Sequence, residues 1–307
     1  MITRDVVAFV AYARTLAPDL GPATARAAFL VSPDGFVRAD QSAQDNRYMA
    51  DAGAFDTGAA LREHHALQRA LAQEVPVVCF PGDEATPDAV FPNNVFATAR
   101  VDGEARLIVG RMRHEVRQRE AERADIRGFF RNTLGYAEVD LSGQPHPCEL
   151  TGALVVDRGR GIGFCGLSER CDEAGAARMH EAFGLRTTLL FDLAAGEYHT
   201  NVLLAVLAGR AVLVYPGGAR APGLVPALQA LYPGGVVELN AVEQAAFAGN
   251  AISLSEEKVW MSRRGHQALR PTTLSALKAR GFDVHSIALD AIEAGGGSLR
   301  CCVAEIF

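Results

Sequence analysis

Two hydrophobic periods take turns along this chain. Short apolar runs bounded by Gly, Pro, Asn or Asp read as strands, and longer stretches with an apolar residue every three or four positions read as helices. The pattern predicts a helix over 3–16, then a strand Ala27–Ser32 ended by Pro33-Asp34-Gly35. It continues with an amphipathic helix over 57–73, carrying Ala60, His64, Leu67 and Leu71 on one face, and a strand Val75–Phe80. Asn94–Val101 and Ala105–Arg111 form a hairpin on Asp102-Gly103, and a charged helix covers 115–133. The same alternation then repeats: strands Leu154–Asp157 and Gly161–Gly166, a helix over 172–183 and a strand Thr187–Leu193. Next come a hairpin of Asn201–Ala208 and Ala211–Tyr215 on Gly209-Arg210, a helix over 223–231 and a strand Val236–Leu239. Ala251–Leu254 paired with Lys258–Ser262, a helix over 271–280, a strand Val284–Leu289 and a short last strand after a glycine turn complete the pattern.

The recurring unit is two hairpin-paired strands, a helix and a further strand. Simple doubly wound sheets place one helix between successive parallel strands, so the extra hairpins do not suit them. No GxGxxG opens a helix after a strand, which leaves dinucleotide binding without support. Repetition of a ββαβ unit suggests radial closure around a centre. No low-complexity linker divides the chain, so residues 27–307 read as one α/β domain behind an N-terminal helical extension, 1–26.

Composition narrows the function classes. Of 307 residues, 49% are apolar and 21% charged, enough for a sizeable core. A net charge of -6 and the lack of a basic block argue against nucleic acid. The N-terminal stretch interrupts its apolar residues with Arg4, Asp5 and Arg14, unlike a signal peptide, and no segment suggests a membrane span. A cytoplasmic protein is expected, with a small molecule as partner and self-association into a homo-oligomer left open. The six cysteines show no CxxC or Cys/His spacing, so the expectation is free thiols and no metal.

Four stretches gather polar groups at strand ends. They are Asn93-Asn94 after Pro92, Glu149 within Cys148-Glu149-Leu150-Thr151-Gly152, His199 within Tyr198-His199-Thr200-Asn201, and Cys301 after Gly295-Gly296-Gly297-Ser298-Leu299-Arg300. Each also has a structural reading: an Asx turn, a capped turn, a satisfied core histidine, inert buried thiols. Together Glu149, His199 and Cys301 supply an acid, a proton carrier and a nucleophile, the set that thiol catalysis needs. Cys302 is expected to face away from Cys301, because neighbours on a strand alternate.

PDAVFPNN, ELTGALVVD, LSERCDEAGA, YHTNVLLAV and GGGSLRC resemble, in the same order, motifs of the guanidino-group modifying superfamily. That superfamily includes dimethylarginine dimethylaminohydrolases, arginine deiminases, succinylarginine dihydrolases, glycine amidinotransferases and citrulline hydrolases. The resemblance runs from about residue 27 to the end of the chain. It implies a five-bladed α/β propeller (a pentein) with a central site and no cofactor. It places the nucleophile on Cys301, the histidine on His199 and the acid on Glu149. It also implies that Asn93 and Asn94 bond the planar head group, and that Arg170, with Arg117 as a second arginine, takes the substrate carboxylate. For both arginines a solvated surface charge is the alternative. The implied activity is hydrolysis of a guanidino or ureido group through a covalent thiol adduct. Amidino transfer to an amine and non-catalytic binding of arginine-like amino acids are the alternatives. Two departures stand out. Leu150 replaces the glycine usual after this glutamate. Two neutral asparagines stand where dimethylarginine hydrolases carry two carboxylates, which tilts the expectation towards citrulline, a neutral ureido substrate.

Overall fold

In a computed structural model that describes residues 1–220 and 222–307, the apolar runs assemble into five small sheets. One rule builds them: two neighbouring strands run antiparallel, and a third, reached through a helix, lies parallel to the second. In the second sheet Phe96–Val101 is antiparallel to Glu104–Val109, which runs parallel to Ala137–Asp140. Leu154–Asp157, Ile162–Leu167 and Thr187–Asp192 repeat the arrangement in the third sheet. Leu204–Leu207, Ala211–Val214 and Val236–Glu238 repeat it in the fourth. The first sheet borrows its outer strand from the end of the chain: Ala304–Ile306 lies antiparallel to Ala27–Val31, which is parallel to Val77–Phe80. In the fifth, Lys258–Ser262 runs parallel to Asp283–Ile287.

Packing follows from strand geometry. Successive side chains of a strand point to opposite faces, so one strand serves two clusters. Phe29 and Val31 of the first sheet pack with Phe96 and Val109 of the second, whereas Ala28 and Leu30 pack with Trp260 from the fifth. Ala97 and Ile108 join the second sheet to Leu154 and Cys165 of the third. Phe164 and Leu189 join the third to Leu204 and Val212 of the fourth, and Leu207 and Leu213 join the fourth to Val259 and Met261 of the fifth. The contacts are therefore cyclic. With both faces covered, the strands read as nearly continuous apolar runs.

Several elements differ from the sequence expectation. The helix expected over 3–16 spans Val6–Ala13, and Ile2–Thr3 ahead of it adds a parallel strand to Thr187–Asp192. Phe9 and Ala13 are buried among residues of the third and fourth sheets, so burial holds this segment against the sheets it covers. The single helix over 115–133 is broken at Arg123, whose ψ of 92° is not helical. Its guanidinium pairs with Asp125 and donates to the Pro81 carbonyl at 2.8 Å. The fourth sheet turns one residue earlier than expected: Ala208 and Gly209 take positive φ (46° and 65°), the type I′ geometry that matches strand twist. Ala251–Leu254 is not a strand. One antiparallel bridge, Ile252 to Trp260, replaces it.

Candidate active site

Before each unit's first strand the chain makes a tight turn, and polar side chains project from it. Pro92–Asn94 precedes Phe96, Leu150–Ala153 follows Glu149, Thr200–Val202 follows His199, and Leu299–Cys302 precedes Ala304. In the fifth unit Asn250 stands in the same place, just ahead of the Ile252 bridge. Buried turns must find partners for their polar groups, and these find one another. Thr151 Oγ1 donates to the Asn93 carbonyl (3.0 Å), Thr200 Oγ1 to the Ala153 carbonyl (2.6 Å) and Asn250 Nδ2 to the Asn201 carbonyl (2.9 Å). The Cys301 amide donates to Asn250 Oδ1 at 3.4 Å.

The ring of turns brings His199 and Glu149 together. His199 Nε2–H donates to Glu149 Oε2 at 2.8 Å, and both residues are fully buried. Arg170 Nη1 donates to the same oxygen at 3.2 Å. Burial alone would raise the Glu149 pKa, but Arg170 and His199 hold it well below the usual carboxylate range. Burial lowers the His199 pKa against the pull of Glu149, and among the described residues its Nδ1 has no hydrogen-bond partner. Gly152 makes room for this ring. A Cβ there would lie 2.8 Å from His199 Nδ1 and 2.6 Å from Asn94 Oδ1, so the two polar atoms converge over a bare backbone.

Cys301 lies in a helical turn rather than at the start of a strand. Neighbours in a helix diverge by about 100°, and Cys302 turns into the core with its thiol on the Ser298 carbonyl (3.4 Å). The Cys301 sulfur receives the Nδ2 groups of Asn250 (3.3 Å) and Asn201 (3.7 Å). Burial raises its pKa, and the Ser298 backbone bond, Asn250 and Asn201 oppose the rise. Just ahead of this turn Gly296 takes φ 75°, a left-handed conformation that suits glycine, and its carbonyl accepts from the Tyr198 hydroxyl at 2.6 Å.

Cys301 opens onto a narrow cavity lined by Asn94, Phe91, Asp88, Arg117, Arg170, Tyr198, Gly295 and Gly297. Its roof is Ser42, Asn46 and Met49, from a segment with no strong sequence pattern. That roof is pinned. Asp45 takes Arg170 Nη2 at 2.5 Å and His114 Nε2 at 3.1 Å, and Asn46 Nδ2 donates to the Gly296 carbonyl at 3.3 Å. Asp88 is wholly buried. Its Oδ2 accepts from Ser42 Oγ (2.5 Å), while among the described residues Oδ1 has no partner. Burial pushes the Asp88 pKa up, with Arg117 opposing.

The structure thus brings Glu149, His199, Cys301, Asn94, Arg117 and Arg170 to one place. Asn93 is buried beside them with both amide atoms unpartnered among the described residues; like Glu149 and His199, it does not line the cavity itself. Neither arginine is a solvated surface charge: Arg170 is 2% and Arg117 3% exposed. Arg117 spends Nε and Nη2 on Glu120 (2.8 and 2.9 Å) and on the Phe91 carbonyl, leaving Nη1 over. Arg170 is largely committed to Asp45 and Glu149. Sequence reasoning missed Asp88, Asp45, Asn250, Asn201 and Gly152. One signal could have found Asn250: Glu149, His199, Asn250 and Cys301 follow one another at intervals of 50 or 51 residues. Among the described residues no three His, Cys, Asp or Glu side chains are grouped to hold a metal ion.

The family model for N,N-dimethylarginine dimethylhydrolase, eukaryotic, matches residues 32–307. The chain is 26% identical over 243 residues to the uncharacterised protein YkgA of Bacillus subtilis (strain 168), covering 78% of this chain and 77% of that one. It is 29% identical over 144 residues to the N(G),N(G)-dimethylarginine dimethylaminohydrolase of Mycobacterium tuberculosis, a match spanning 47% of this chain and under half (45%) of that protein. The N-terminal domain of ArgZ, an arginine dihydrolase from Cyanobacteria, superimposes in its substrate-bound form with a TM-score of 0.78. At 18% identity over 91% of this chain and 97% of that one, this likeness speaks for a shared α/β fold.

Proposed function

The chain belongs to the N,N-dimethylarginine dimethylhydrolase family, a hydrolase of guanidino carbon–nitrogen bonds, and from that premise we propose that Cys301 is its nucleophile and a guanidino amino acid its substrate. The observation that carries the reading is Cys301 opening onto a cavity whose wall includes Asp88, with a carboxylate oxygen left unpartnered among the described residues. The asparagine pair alone argues for a neutral ureido group; Asp88 reverses that balance. Buried carboxylates need a partner, and of those behind the cavity wall Glu149 has Arg170 and Glu120 has Arg117. Asp88 lies 3.9 Å from Arg117 Nε and keeps one oxygen for a cation. A guanidinium bound there fills it with charge-assisted hydrogen bonds, about 1.5–3 kcal/mol each.

The chemistry then runs in two balanced halves. His199 Nδ1 takes the Cys301 proton, and the thiolate, held by Asn250 and Asn201, attacks the central guanidinium carbon. A carbon–sulfur bond forms, the carbon–nitrogen bond breaks, and the imidazolium returns its proton to the departing amine. His199 next deprotonates a water that adds to the same carbon. The carbon–sulfur bond breaks, leaving a ureido product and the thiolate. Glu149 keeps Nε2–H occupied, so that Nδ1 carries the proton traffic. Asn94 bonds the planar head group. Arg117 Nη1 and the remaining Arg170 donor receive the α-carboxylate. The five sheets are read as blades of a radially closed α/β propeller around this centre, with residues 1–26 as an extension to the 27–307 domain.

The test offers the protein arginine, dimethylarginine, succinylarginine and citrulline, following ammonia, dimethylamine and ureido products, with Cys301→Ala alongside. Guanidino turnover that vanishes in the variant is expected. Turnover retained by Cys301→Ala overturns the nucleophile, and turnover of citrulline alone overturns the Asp88 argument. Product that forms only with an added amine acceptor marks amidino transfer instead.

A further inference from the structure

A second, small cavity lies on the other side of the ring of turns. Its wall takes the neighbours of the catalytic positions, Thr151, Asn201 and Arg300, together with Arg158, Ser253 and Glu305. It shares no lining residue with the Cys301 cavity. Arg300 is already paired: Nη2 donates to Glu305 Oε2 at 2.8 Å and Nη1 to the Val303 carbonyl at 2.7 Å. That bond spends Glu305. Arg158 Nη1 donates to the Thr98 carbonyl at 2.9 Å, and its Cζ stacks 4.2 Å over the Phe307 ring and 5.1 Å from that of Phe183. Among the described residues Arg158 has no ion pair within 4.0 Å. Two guanidinium groups and one carboxylate leave this cavity a single positive charge in excess. Arginine does not escape that charge by giving up its proton, and Arg158, only partly exposed, keeps its charge without a carboxylate partner among the described residues. Burial pulls the Arg158 pKa down to about 10 against the attraction of Glu305, with Arg300 adding repulsion. Ser253 is 5% exposed, and its Oγ has no partner.

We propose that this cavity is a binding site for a small organic monoanion, a carboxylate held in the fork of Arg158 and by the Ser253 hydroxyl. The planar guanidinium matches the geometry of a carboxylate, and one negative charge restores neutrality. Arg300 links the site to the reaction centre, since it directly precedes Cys301 in the same helical turn. The proposal stands whether or not Cys301 is the nucleophile, because it rests on Arg158 and Ser253, which the mechanism does not use.

The experiment is a calorimetric titration of the full chain with sodium acetate at constant ionic strength, with acetamide as the uncharged isostere. The expected result is acetate binding at one site, tenfold or more weaker in Arg158→Met, with no binding of acetamide. Arg158→Lys and Ser253→Ala keep the charge count and should weaken acetate severalfold, so the test survives if Arg158→Met does not fold. Acetate heats unchanged in these variants would mean that acetate sits elsewhere, for instance on Arg117, and would overturn the site. So would acetamide binding as well as acetate, or no acetate binding to the unaltered chain.

Discussion

Replacing Gly152 by alanine adds one methyl group at the point where His199 and Asn94 converge. The backbone φ there is not in the left-handed region, so the cost is purely one of contact. The new Cβ would stand 2.6 Å from Asn94 Oδ1, 2.7 Å from His199 Cε1 and 2.8 Å from His199 Nδ1. Ordinary contacts begin at 3.4 Å, so the ring and the amide must yield by roughly 0.6–0.8 Å. Overpacking of that size costs about 1–3 kcal/mol, and Gly→Ala within a turn of helix returns roughly 0.5–1 kcal/mol. The fold should survive with a melting temperature lowered by a few degrees. Catalysis should not survive as well, because displacing a reacting group by about 1 Å can cost a factor of the order of 100. The assay is steady-state turnover of a guanidino substrate, with thermal melting and iodoacetamide capture of Cys301 as controls. A kcat reduced about 10- to 100-fold, with the thiol still accessible, is the expected outcome. A kcat within threefold of the unaltered protein would show that the position of His199 over Gly152 is irrelevant to the reaction.

Asp88→Asn should raise KM for guanidino substrates roughly ten- to hundredfold, from about 1.5–3 kcal/mol of charge-assisted bonding, and leave binding of a neutral ureido compound unchanged. Equal losses for both would remove the counter-charge argument. Asn250→Ala withdraws a donor from the Cys301 sulfur. Alkylation of Cys301 should slow by roughly tenfold at neutral pH, its pH profile moving to higher pH; an unmoved profile would make Asn250 merely structural. His64 is wholly buried, with both ring nitrogens unpartnered, and burial pushes its pKa down to about 4. Below about pH 6.5 the unfolded histidine takes a proton that the folded one refuses, so stability falls by about 1.4 kcal/mol per pH unit towards pH 4. His64→Leu should abolish that share, narrowing the gap between urea midpoints at pH 7 and pH 5, and a gap of the same width would refute the assignment.

The alternation of apolar runs with helical stretches was enough to locate most strands and crossover helices. Thr57–Leu71, with Ala60, His64, Leu67 and Leu71 inward, is the clearest case. Such elements are local: period, turn residues and caps lie within a few positions of one another. Glu149, His199 and Cys301 could be proposed from the sequence for the same reason, each a polar or thiol side chain at the head of an apolar run. What the tertiary structure decided is everything that depends on partners far along the chain. Cys301 and Cys302 sit in a helical turn, because the turn hydrogen-bonds to Asn250, about fifty residues away. Arg117 and Arg170 look like surface charges in the sequence. They are buried because Glu120, Asp45 and Glu149 meet them in the folded chain. Asp88 reads as an ordinary turn residue until Ser42 and the roof segment close around it. Asn250 shows the boundary between the two kinds of information. Its 50-residue spacing is written in the sequence, but its chemistry exists only because the ring of turns brings that amide to the Cys301 sulfur.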